Sequence, residues 1–106
     1  GIDFKQPWGA AVRVTAAGTV VSAGPHGGYG NAVDVDHGNG IVTRYAHLSA
    51  ITVKPGQTVE TGAVVGRLGS SGRSTGAHLH YEVRYNDNPI DPRRFLNAGL
   101  KLAAIE

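Results

Sequence analysis

The sequence predicts an all-β fold of mostly antiparallel strands, and three observations carry that reading. Sixteen glycines in 106 residues break the chain into short runs rich in β-branched residues, a spacing that suits many short strands better than helices. Apolar and polar residues alternate with period two at Val33-Asp34-Val35-Asp36 and again over His78–Tyr85, as in strands with one buried face. His37-Gly38-Asn39-Gly40 is a hairpin signal, because Asn-Gly accepts the positive φ that a tight turn demands.

The elements follow in chain order. Val12, Val14 and Ala16 alternate with Arg13 and Thr15, and Thr19-Val20-Val21 follows a turn at Gly18. The strand at 33–36 reads as half-solvated, with Asp34 and Asp36 outward. It turns at the Asn-Gly pair and returns as a strand over 41–48. Residues 53–59 carry a second turn at Pro55-Gly56, and 63–68 is strand again. A Gly/Ser loop spans 68–77 before the clearest strand of the chain, His78–Tyr85. Asp91-Pro92 reads as an N-cap followed by proline at the first helical position, so one short helix is expected over 92–98, ending at Gly99. No linker divides the chain, and its length suits one compact domain, 1–106.

Composition narrows the function. Hydrophobic residues make up 41% and charged residues 17%, which favours a packed core over disorder. No apolar run reaches the roughly 18 residues of a membrane span, so no transmembrane segment is expected. Arg and aromatic residues do not interleave in a patch, which argues against nucleic acid. The net charge of +2 is compatible with plain solubility. Without cysteine, disulfides and thiolate metal sites are excluded. The start, Gly1-Ile2-Asp3-Phe4, has neither Met nor a signal-peptide pattern, and the expectation is a fragment or a processed form. The stretch 53–62 resembles lipoyl and biotinyl carrier domains, but Lys54 precedes proline and no Met-Lys-Met tip is present.

The histidines are the candidates for chemistry. His78, His80, Glu82 and Arg84 share one face of their strand, and Leu79, Tyr81, Val83 and Tyr85 share the other. The second set is a core face. The first gathers ionisable groups, and two imidazoles at i and i+2 can converge on a metal and its substrate. The preceding loop, Gly69-Ser70-Ser71-Gly72-Arg73-Ser74-Thr75-Gly76, lacks the Gly-Lys-Ser/Thr ending of a phosphate cradle and runs into a strand. It fits the rim of a substrate groove. His47, in Tyr45-Ala46-His47-Leu48-Ser49, is a third candidate and is expected to face the same way as Tyr45. His37, in a turn, and His26, in a Gly-rich loop, read as solvent-exposed bystanders.

In order and spacing these segments resemble the M23 metallopeptidase family over nearly the whole chain. Gly1-Ile2-Asp3-Phe4 with Pro7 resembles the end of that family's His-x-x-x-Asp zinc motif. Tyr29-Gly30-Asn31, Tyr45-Ala46-His47-Leu48-Ser49 and Ser74-Thr75-Gly76-Ala77-His78-Leu79-His80-Tyr81-Glu82 match further motifs, and Pro89-Ile90-Asp91-Pro92 with Phe95-Leu96 the closing segment. Ala77 stands where the family usually has proline.

The resemblance implies an all-β domain with a groove, in which Asp3 and His80 bind zinc and His47 and His78 are catalytic. It places Tyr29 and Asn31 along the groove. It implies a monomeric zinc endopeptidase that cleaves peptide cross-links of bacterial peptidoglycan, in the periplasm or outside the cell. The family's third protein ligand is a histidine four positions before Asp3, which falls before Gly1. The expectation is therefore a domain without its extreme N-terminal part. The alternative is a degenerate, non-catalytic relative that activates cell-wall amidases.

Overall fold

The computed structural model describes residues 2–5, 8–69, 78–86 and 88–90, with the backbone alone at 2–5, 78 and 89. Among them nine strands make one sheet in which every pairing is antiparallel. Its order is β1 (Ile2–Lys5), β8 (His78–Tyr85), β5 (Ile41–Ile51), β4 (Asn31–Gly38), β3 (Gly18–Pro25) and β6 (Thr58–Val59). Off this path, β2 (Ala11–Arg13) pairs with β7 (Val64–Leu68), β7 pairs with β5, and β9 (Asn88–Ile90) pairs with β8. The expected all-β antiparallel fold is what forms. The helix expected over 92–98 and most of the loop at 68–77 lie outside the described residues.

Turn chemistry sets the register. Asn39 and Gly40 have φ of 53° and 81°, the two positive values a two-residue hairpin turn needs, and Gly38 pairs directly with Ile41. At Pro55-Gly56 the proline presets φ and Gly56 supplies a φ of 91°. The Gln57 N–H closes that turn on the Lys54 carbonyl at 3.1 Å.

The central strand, β5, forks. Along one edge it pairs with β4. Along the other, Ile41 to Ala46 pair with β8 and Leu48 to Ile51 with β7. His47 stands between the two partners. The β4–β5 register also slips there: Asn31 faces Leu48 but Val33 faces Tyr45, which leaves one extra residue on β5. This is a β-bulge, and bulges re-aim side chains.

Beneath the sheet lies a core of valines with Leu48, Leu68, Tyr45 and Tyr81. Tyr45 and Tyr81 face each other across β5 and β8 with ring centroids 5.4 Å apart. Their hydroxyls meet Thr15 Oγ1 at 3.1 and 3.0 Å, and the Thr15 N–H donates to the Tyr45 oxygen at 3.0 Å. These bonds satisfy phenols that would otherwise be costly to bury. His37 is a strand residue, at the end of β4. It is no bystander. Its Nδ1 donates to the Ala17 carbonyl at 2.9 Å and its Nε2 hydrogen-bonds Thr43 Oγ1 at 2.7 Å, which fastens the β4–β5 hairpin to the chain entering β3.

Asp34 departs from the half-solvated strand expected at 33–36. It is buried, 8% exposed, because Arg44 across the strand pair binds it with two hydrogen bonds, Nε to Oδ1 at 2.8 Å and NH2 to Oδ2 at 2.9 Å. A paired, bidentate carboxylate can be buried where an unpaired one cannot.

Candidate metal centre and its cleft

Strand alternation divides β8 as the sequence predicts, except that Tyr85, expected on the core face, ends the strand 48% exposed. Tyr81 and Val83 are buried in the core. His80, Glu82 and Arg84 face the other way, where His80 meets Tyr29 and His47. His80 is paired with Ala46 on β5 and with Asp3 on β1, and His78 with Lys5. The register thus sets Asp3 directly opposite His80.

His47 reaches this face only through the bulge. A regular strand would send it with Tyr45, as the sequence suggests, and that expectation is overturned. Tyr45 and Leu48 both enter the core, while His47 takes a φ of 64° and turns to the opposite side. Its ring lies 6.0 Å from that of His80, edge-on. A side chain at positive φ is strained unless its surroundings hold it. The Gly69 N–H binds the His47 carbonyl at 3.0 Å, and the Asn31 amide donates to the Leu48 carbonyl at 3.2 Å. Both clamps act on the bulge itself. Gly69 must stay glycine for this approach, since a Cβ there would sit 2.8 Å from the Ser49 nitrogen.

Gly28, Tyr29, His47 and His80 line a cleft of about 390 Å³. The 3₁₀ turn Gly27–Tyr29 sets Tyr29 against it, with its ring 5.7 Å from His80 on one side and 5.7 Å from His26 on the other. Arg44 lies over the Tyr29 ring, 4.7 Å from its centroid, a cation–π contact that ties the wall of the cleft to the buried Asp34–Arg44 pair. His26 is solvent-exposed, as expected for its loop, with its ring beside that of Tyr29.

Behind His80 runs a charge-assisted chain. His80 Nε2 lies 2.8 Å from Glu82 Oε2, and Arg84 NH2 donates to Glu82 Oε1 at 3.0 Å and to the Tyr29 hydroxyl at 3.3 Å. Burial pushes the Glu82 carboxyl up, but hydrogen bonds from His80, Tyr29 and Arg84, with the Arg84 charge, outweigh it and hold the group down to about 2.

Of the predicted site residues, the structure brings His47 and His80 together and aligns the backbone of Asp3 with His80. The side chains of Asp3 and His78 are outside what it describes. Tyr29 lines the cleft, whereas Asn31 braces the bulge. The sequence assigned no role to Asp34, Arg44 or Glu82. For Glu82 the signal was available in its period-two spacing from His80. Among the described residues no group of three or more metal-binding side chains occurs. The donor chemistry nevertheless suits zinc: a carboxylate residue stands opposite an imidazole whose second nitrogen is held by another carboxylate, as metal-ligating histidines commonly are.

Comparison with known proteins adds to this geometry. Residues 1–92 match the model of peptidase family M23. Over 92 residues the chain is 52% identical to the DD-carboxypeptidase/endopeptidase Mpg of Neisseria meningitidis, covering 87% of this chain and 21% of that protein. A zinc-containing peptidase from Vibrio cholerae superposes with a TM-score of 0.80 at 42% identity, over 84% of this chain and 28% of that one. The catalytic domain of lysostaphin from Staphylococcus simulans superposes with a TM-score of 0.87 at 35% identity, over 92% and 77%.

Proposed function

The chain belongs to peptidase family M23, and from that premise we propose that it is the zinc endopeptidase domain of a protein that hydrolyses peptide cross-links of bacterial peptidoglycan in the cell envelope. The single observation that carries the reading is the convergence of His47 and His80 on one cleft, since a strained bulge is needed to produce it. Family membership and the peptidoglycan-acting relatives support the substrate class.

In this reading His80 and Asp3 hold the zinc, as two members of a set that in catalytic zinc sites normally has three protein ligands. Bound zinc supplies a Lewis acid that polarises the scissile carbonyl and lowers the pKa of water to about 7. His47 and His78 divide the remaining work: one takes the proton of the attacking water, the other donates a hydrogen bond to the developing oxyanion. The cleft is open to solvent, so a peptide can reach His47 and His80.

The test is digestion of purified peptidoglycan by the full-length, zinc-loaded protein. Cross-linked dimers are expected to fall and monomers to rise. His47→Ala and His78→Ala should lose at least about 10²-fold in rate while retaining zinc, and His80→Ala should lose both. Equal zinc loss in all three would show that ligands and catalytic groups are wrongly divided. A wild-type protein that binds no zinc and releases nothing, yet stimulates a cell-wall amidase, would support the activator reading instead.

A further inference from the structure

We propose that the exposed face of β2 and β7, marked by Trp8, Arg67 and Arg13, is a docking surface for the uncleaved part of the peptidoglycan strand whose cross-link lies in the cleft. The inference rests on the reading of the chain as a peptidoglycan endopeptidase.

Strand pairing builds the face. Ala11 of β2 stands directly opposite Arg67 of β7, and Ala50 of β5 is paired with Arg67 from the other side. Val12 turns into the core, while Ala11, Arg13 and Arg67 are exposed. Trp8 leads into this face and is 67% exposed, the most exposed large apolar side chain among the described residues. A lone exposed apolar residue is ordinary, but this one stands beside free positive charge. Arg67 NH1 donates to the Gly9 carbonyl at 3.4 Å, which brings the guanidinium to the residue after the indole. Arg13 NH1 donates to the Gly62 carbonyl at 3.0 Å. Among the described residues neither arginine is in an ion pair with a carboxylate. Each has N–H groups left to offer, since a guanidinium carries five.

The face adjoins the cleft. The Gly9 N–H binds the Leu68 carbonyl at 2.7 Å, and the Gly69 N–H binds the His47 carbonyl at 3.0 Å. The backbones that carry Trp8 and His47 therefore flank the same segment, two strand spacings or about 10 Å apart. A polymer whose peptide reaches His47 extends well past that distance. Peptidoglycan presents two chemistries that suit the face. Its sugar rings have C–H surfaces that pack on an indole, and its stem peptides carry carboxylates, which a guanidinium binds with two parallel hydrogen bonds. Trp and Arg are also the side chains that most often dominate binding surfaces. A second contact with the same polymer raises the effective concentration of cross-links at the cleft without touching the reacting atoms.

The experiment compares wild type, Trp8→Ala, Trp8→Phe and Arg67→Gln in the full-length, zinc-loaded protein. Two substrates are used: intact purified sacculi, and a small sugar-free cross-linked peptide that lacks the flanking strand. Trp8→Ala and Arg67→Gln are each expected to raise the half-saturating amount of sacculi roughly 10-fold, with the maximal rate unchanged. Both should cleave the small peptide like wild type, which also shows that they fold. Trp8→Phe, which keeps an aromatic face, should retain most of the activity on sacculi. Added salt should narrow the gap between wild type and Arg67→Gln. Co-sedimentation with sacculi needs no turnover and should show the same roughly 10-fold weakening. The proposal is overturned if the variants bind and digest sacculi like wild type, or if both substrates lose rate equally. If wild type cleaves neither substrate, it is the endopeptidase reading that fails, and co-sedimentation still decides the surface.

Discussion

The imidazole rings of His47 and His80 lie 6.0 Å apart although no strand register pairs the two residues. The residue opposite His80 is Ala46. One extra residue in β5, at the point where that strand passes from β8 to β7, turns His47 out of the core and over the cleft. The backbone cost of that turn is borne at His47, whose φ is 64°.

That cost can be measured. His47→Gly and His47→Ala both remove the imidazole, but glycine accepts positive φ and alanine does not. We expect His47→Gly to be more stable than His47→Ala by about 1 kcal/mol in urea denaturation, with both inactive. Equal stabilities would mean that the bulge carries no strain.

The buried pair beneath the cleft should be unforgiving of half-removal. Asp34→Ala leaves the Arg44 guanidinium buried without its bidentate partner and is expected to cost about 3 kcal/mol. Arg44 also covers Tyr29, so the same variant should perturb the cleft. Replacing both members by apolar residues, as in Asp34→Leu with Arg44→Met, should recover much of the stability. A double variant as unstable as the sum of the singles would contradict this.

The paired tyrosines predict an alkaline limit. Burial pushes the phenols of Tyr45 and Tyr81 above the ordinary 10.0, against opposing hydrogen bonds from Thr15. A raised folded-state value means that the fold holds the proton more tightly than the unfolded chain. The stabilisation is therefore complete below pH 10.0 and is lost as pH rises beyond it. Spectrophotometric titration should show these two tyrosines ionising only as the fold is lost. Tyr45→Phe, which strands the Thr15 N–H, is expected to cost about 1–2 kcal/mol. Reversible ionisation of all four tyrosines in the intact fold would contradict the assignment.

Much of this architecture is legible in the sequence, for identifiable reasons. Period-two alternation fixed the two faces of β8, because one of them must enter a core. Asn39-Gly40 and Pro55-Gly56 marked their turns, because few other residues accept those angles. What the sequence hid is where tertiary contact overrides local pattern. Asp34 looks solvated until Arg44 is brought across the strand pair by the hairpin. His47 looks aligned with Tyr45 until the fork in β5 is seen, since a bulge has no signature when its residue is histidine instead of glycine. His37 looks like part of the turn because its hydrogen bond to Ala17 joins segments far apart in the chain and its bond to Thr43 crosses the hairpin.

The most direct test of the account is the fate of a purified cross-linked muropeptide dimer incubated with the full-length, zinc-loaded protein and followed by mass spectrometry. Hydrolysis of the bridging peptide bond, abolished by a chelator, restored by zinc, and absent in His80→Ala and His47→Ala, is the predicted result. An intact dimer despite about one bound zinc per chain, or cleavage that survives the loss of both histidines, would contradict it.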